Sequence, residues 1–158
     1  MLTILDLRMR DAGGPGIVGF ELAGSDGRAA EILDDWGEEG RDAARASLWL
    51  DFPFLLAYGA FLTLAVAALR DRARRRALGR LAAAGVVVVA LPATAAAFDA
   101  IENVGLLVSL EGEGGDRAPL LATICASLKF GLLAITAAYL LAVPIAARRA
   151  GRRGPHRS

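Results

Sequence analysis

Five residues able to carry charge or make bidentate hydrogen bonds lie inside otherwise apolar stretches of this 158-residue chain: Asp51, Asp99, Glu102, Asn103 and Lys129. Asp99, Glu102 and Asn103 follow one another at i, i+3 and i+4, which places all three on one face of a helix. Asp51 and Tyr58 are seven apart, again one face of a single helix. Lys129 is the only cation at this level, and its natural partners are Asp99, Glu102 and Asp51, so carboxylates outnumber ammonium groups. Three chemistries fit such a set. A buried ion-pair network would fix helix register, with polar groups as glue between helices. Groups at an interface would be solvated, with Lys129 snorkelling outward. A polar-lined pocket would let Lys129 or Asn103 bind an acidic or polar head group, while a carboxylate of raised pKa moves a proton. An amphiphile's tail would then lie along Phe54, Leu106 and Phe130.

Other chemistries lack their residues. The single histidine, His156, sits in a basic tail far from any nucleophile, and the single cysteine, Cys125, lies within an apolar stretch. Neither supplies a hydrolase pair or a metal set, so no metal and no cofactor is expected. Carboxylates at i, i+3 could hold a hard cation only with further oxygen ligands. The glycines of GEGGDR (112–117) follow no strand and precede no basic helix, unlike a phosphate loop. Short arginine runs without interleaved aromatics argue against nucleic acid.

The elements that must position these groups are three long apolar stretches, 47–69, 81–110 and 119–147. Each exceeds the roughly 20 helical residues needed to cross about 30 Å of hydrocarbon. A hydrophobic fraction of 55% agrees, and the length allows one domain. The net charge of +1 hides a strong segregation. Residues 1–46 carry ten acidic and five basic side chains; the loop 70–80 has six arginines and one aspartate. The loop 111–118 is net −2 and the tail 148–158 net +5. Short arginine-rich segments stay on the cytoplasmic side, which predicts the N-terminus and the 111–118 loop outside and the C-terminus inside.

Met1–Leu7 is too short an apolar run for a signal peptide. Residues 1–19, with the turn-rich DAGGPG, read as a mobile segment. An external helix over 25–36 follows: Ser25 can cap it, Ala29, Ile32, Leu33 and Trp36 share a face, and Gly37 can end it. Glu38 and Glu39 suit the start of a new helix running into the first crossing. Pro53 and Pro92 predict kinks near 49 and 88–91. Asp51, Asp99 and Lys129 each lie 18 residues from the cytoplasmic end of their stretch. At about 1.5 Å per residue that is one common level, roughly 27 Å from that face. Segments 100–110 and 119–128 would then project outward and pack against the 25–46 region.

The segments FELAGS (20–25), ILDDWG (32–37), LDFPFLLAYG (50–59), FDAIENVGLL (98–107) and SLKFGLL (127–133) together resemble a pattern seen in uncharacterised small multi-pass bacterial membrane proteins of unknown function. The resemblance covers most of 17–140 and implies no functional residues. The expectation is an all-α integral membrane protein: a bundle of three transmembrane helices spanning 20–147, with a helical N-terminal segment packed on the outer side and a basic cytoplasmic tail. Its place is the bacterial cytoplasmic (inner) membrane. Its expected function is to bind a lipid, small amphiphile or protein partner through Asp51, Tyr58, Asp99, Glu102, Asn103 and Lys129. The alternatives are a small membrane enzyme using a carboxylate as general acid or base on a lipidic substrate, and an accessory subunit of a larger complex. Small residues such as Gly85, Ala93 and Ala96 favour close helix packing within the chain over a homo- or hetero-oligomer interface.

Overall fold

A computed structural model describes residues 1–113 and 115–152; His156 and the end of the basic tail lie outside them. Six helices are formed, α1 (Leu2–Asp11), α2 (Ile17–Glu21), α3 (Asp26–Arg75), α4 (Gly79–Val88), α5 (Leu91–Leu110) and α6 (Arg117–Arg152), and no strand occurs among the described residues. Three helical stretches, Asp26–Arg75, Gly79–Leu110 and Arg117–Gly151, are long and apolar enough to cross a membrane. Two compact units are formed, 1–56 with 96–129, and 57–95 with the described residues from 130 onward.

The first unit is organised around Trp36. Its indole is 1% exposed, stacks obliquely on Phe20 at 5.2 Å, and donates from Nε1 to the Pro15 carbonyl at 2.7 Å. Ala29, Ile32 and Leu33 share its buried face, and Leu48, Leu106, Leu110 and Ala122 complete the core. Within α3, helical geometry is left at Gly37 (φ 57°, ψ −161°), a conformation that costs glycine little. That break orphans carbonyls of the preceding turn, and Arg41 Nε donates to one of them, Leu33, at 3.0 Å. No such break occurs at Pro53, where helical dihedrals continue.

Residues 1–19, read from the sequence as mobile, contain α1 and most of α2. Leu5 and Met9 of α1 join the Trp36 core. Asp6 fixes α2 to α1: its Oδ1 accepts the Ile17 amide at 2.9 Å, and its Oδ2 accepts Arg10 Nε at 2.8 Å. Burial works against the Asp6 charge, but these two hydrogen bonds outweigh it and hold the carboxyl below its usual 3.8. A Cβ on Gly16 would collide with the same carboxylate, so glycine there makes the cap reachable. Thr123 of α6 donates to the Glu21 carbonyl at 2.9 Å, and the Asp26 amide donates to Asp116 Oδ1 at 2.8 Å.

The second unit packs Val66 and Ala73 of α3 with Val88, Tyr139 and Val143. Tyr139 donates to the Leu81 carbonyl at 3.1 Å, and Gly85 lies so close that a Cβ there would meet the tyrosine hydroxyl. Residues 89–90 separate α4 from α5, since Pro92 has no amide to offer the carbonyl of Val88. At the end of α3, Ala77 holds φ 53° while the Leu78 amide closes on the Ala73 carbonyl at 2.9 Å. This is a Schellman-type stop with alanine where glycine is favoured. Ala77→Gly should therefore stabilise the protein by about 1 kcal/mol, read as a raised unfolding midpoint; a lowered midpoint would show that this turn is unstrained.

Candidate functional site

Five of the six candidate residues gather in the first unit; Tyr58 belongs to the second. Helical spacing does most of the positioning. Asp99, Glu102 and Asn103 share the inner face of α5, and Asp51 on α3 and Lys129 on α6 meet that face. Lys129 Nζ donates to Asp99 Oδ1 at 2.9 Å and to Glu102 Oε1 at 3.0 Å, with Glu102 Oε2 at 2.8 Å. Asn103 Nδ2 donates to Asp51 Oδ2 at 2.9 Å. Asp99, Glu102, Asn103 and Lys129 are buried, Glu102 completely, whereas Asp51 is only half-buried.

The polar layer thus has two parts with different chemistry. The first is dry. One ammonium sits between two carboxylates of the same helix, joining α6 to α5 where water is excluded. Such a contact discriminates strongly against shifted register, because a slip of one residue would strand charge in an apolar core. Lys129, which the sequence offered with Asn103 as a head-group ligand, here holds Asp99 and Glu102. Leu106, expected beside an amphiphile's tail, is instead fully buried in the Trp36 core.

The second part borders a cavity of about 300 Å³. Asp51, Asn103 and Ser47 form one wall, and Asp6, Arg10 and Glu21 contribute from α1 and α2. Thr3, Arg10 and Val18 are exposed, so the cavity reaches the surface. Arg10 is committed to Asp6. The remaining charged groups of the lining, Asp51 and Glu21, are both acids.

Glu21 was not among the sequence candidates. It lies in a five-residue helix with no periodicity to mark a buried face, and only the packing of α2 brings it in. Its Oε2 is 3.9 Å from Lys129 Nζ, and its carboxyl is within hydrogen-bonding reach of Glu102. Burial pushes its carboxyl above the ordinary 4.5, against the attraction of Lys129; the neighbouring Asp99 and Asp51 push it further up. Glu21 Oε2 and Glu102 Oε2 are both buried, and a single proton shared between the two carboxyls would bridge them. Among the described residues no group of three or more His, Cys, Asp or Glu is arranged to hold a metal ion.

No protein-family model, curated protein or solved structure is significantly similar to this chain. Function therefore has to be argued from the site.

Removing the ammonium leaves two buried carboxylates facing each other without a cation. Lys129→Met should cost about 3–5 kcal/mol of stability, measured by denaturant or thermal unfolding in detergent. Adding Asp99→Asn or Glu102→Gln should recover part of that loss. Purely additive losses in both double variants would show that the groups are not coupled.

Proposed function

We propose that this chain is an integral protein of the bacterial inner membrane that binds a small amphiphile through a hydrogen-bond-donating or cationic head group. The observation that carries the reading is the cavity beside Asp51, whose lining holds the carboxylates Asp51 and Glu21 and one cation, Arg10, which is paired with Asp6. An acidic wall within apolar surroundings favours an ammonium or a hydroxyl donor and repels a second anion. Leu2, Ile17, Val18 and Leu48 supply apolar surface beside it. The arginine segregation supports an orientation with α1, α2 and the 111–118 loop outside and the C-terminus in the cytoplasm, which turns the cavity toward the outer leaflet. Trp49, 61% exposed near the start of the first apolar stretch, suits the interfacial aromatic belt at that side.

Orientation is tested by cysteine labelling in a Cys125→Ala background. Gly112→Cys should react with an impermeant thiol reagent on intact cells, and Gly79→Cys only after permeabilisation. The opposite pattern would overturn the assignment.

Ligand chemistry is tested in phosphatidylcholine nanodiscs with dodecylamine against dodecyl sulfate. The amine should bind saturably and the sulfate should not. Asn103→Leu, which fills the space, and Asp51→Asn, which removes the acceptor charge, should each weaken amine binding about tenfold, equivalent to roughly 1.4 kcal/mol. Because Glu21 gains its charge only above the ordinary 4.5, amine affinity should rise as pH is raised through and beyond that value. Equal binding of amine and sulfate, or affinity that falls over that range, would contradict the proposal.

A further inference from the structure

A second concavity of the first unit, apart from the acidic cavity, is a groove of about 630 Å³ on another face of α5. Ile101, Val104 and Val108 of α5, Phe52 of α3 and Leu121 of α6 form its walls. Its floor is made by small residues: a Cβ on Gly105 would lie 3.2 Å from the Ala118 carbonyl oxygen, so α5 and α6 approach closely there. Along α5 the groove runs from Ala100 to Val108, about 12 Å at the helical rise. Only one lining residue is charged, Arg117, which opens α6 at one end. Of the acids nearby in sequence, Glu113 is exposed and two others are engaged elsewhere. Glu111 pairs with Arg45 at 2.8 Å, and Asp116 accepts the Asp26 amide at 2.8 Å.

We infer that this groove is a binding site for an anionic glycerophospholipid, with an acyl chain along Ile101, Val104 and Leu121 and the phosphate on Arg117. The occupant follows from charge complementarity. An apolar trough ending in a single guanidinium, at the boundary between an apolar helix and its polar loop, matches a molecule with a long hydrocarbon tail and one phosphate at its end. A guanidinium presents a planar fork of donors suited to phosphate oxygens. A soluble anion would leave the trough empty, and a neutral tail would leave the arginine unused. The site differs from the acidic cavity in residues and in sign of charge. Its accessibility to lipid rests on the membrane reading; its head-group preference does not depend on which way the chain is oriented.

The test is native mass spectrometry of the full chain in a neutral detergent, titrated with palmitoyl-oleoyl phosphatidylglycerol and, separately, with the phosphatidylcholine of the same chains. Phosphatidylglycerol should be retained at lower concentration. Arg117→Gln should weaken its binding about fivefold, the effect of one basic residue beside an anionic lipid. Arg117→Lys should keep most of the preference. Val104→Trp, at an exposed position that fills the trough, should weaken both lipids while leaving the helix content by circular dichroism unchanged. Equal retention of the two lipids with no effect of Arg117→Gln would overturn the proposal, reducing the groove to nonselective contact with bulk lipid. So would a stable dimer that Val104→Trp disrupts, since a second copy would then be the occupant.

Discussion

One ammonium group holds the first unit of this protein together. Lys129 sits within 3.0 Å of Asp99 and Glu102, and all three side chains are buried. Taking three charges out of water is unfavourable, and their mutual attraction offsets that only in one geometry. The contact therefore contributes specificity more than net stability. It ties α6 to α5 at a single register, and with that register set, Leu106, Leu110 and Ala122 meet the core built on Trp36. Asp51, hydrogen-bonded to Asn103 one residue along the same face, adds α3 to the arrangement.

The saturation of Lys129 also decides what the rest of the layer can do. With the cation committed, the acids beyond it are left to face the cavity. Asp51 accepts a hydrogen bond from Asn103, and Glu21 of α2 reaches to 3.9 Å from Lys129. The sequence suggested capture of an acidic or polar head group; in the proposed reading the cavity takes a hydrogen-bond donor or a cation. The short helices α1 and α2 make this possible, because they roof the cavity and carry Glu21 to it. Their own placement depends on two small devices: the Asp6 carboxylate on the Ile17 amide, and the Trp36 indole on the Pro15 carbonyl.

Much of this arrangement was legible in the residues. The i, i+3, i+4 spacing of Asp99, Glu102 and Asn103 put them on one face, and equal distances from the arginine-rich ends put Asp51 and Lys129 at the same level. Trp36–Gly37 followed by two glutamates marked the change of direction in α3. Pro92 marked the break before α5, while at Pro53 helical dihedrals continue. The N-terminal helices were not legible. A ten-residue helix is marginal alone and is fixed here by burying Leu5 and Met9 and by the Asp6 contacts. Glu21 escaped for the same reason, since its environment is created by residues distant in sequence: Asp51, Asp99, Glu102 and Lys129. Tyr58 shows the converse: seven residues from Asp51 is one helix face, yet the two fall in different compact units.

Lys129 is the only lysine in the chain, which makes its burial directly measurable. The folded protein in detergent is treated with sulfo-N-hydroxysuccinimide acetate, and acetylation is followed by peptide mass spectrometry, with the N-terminal amine as the internal control. A lysine buried between Asp99 and Glu102 should stay unmodified while the N-terminus reacts, and should become reactive only on unfolding. If Lys129 is acetylated in the folded protein as fast as the N-terminus, its ammonium reaches water, and the account of a dry charge cluster fixing α5 to α6 is wrong.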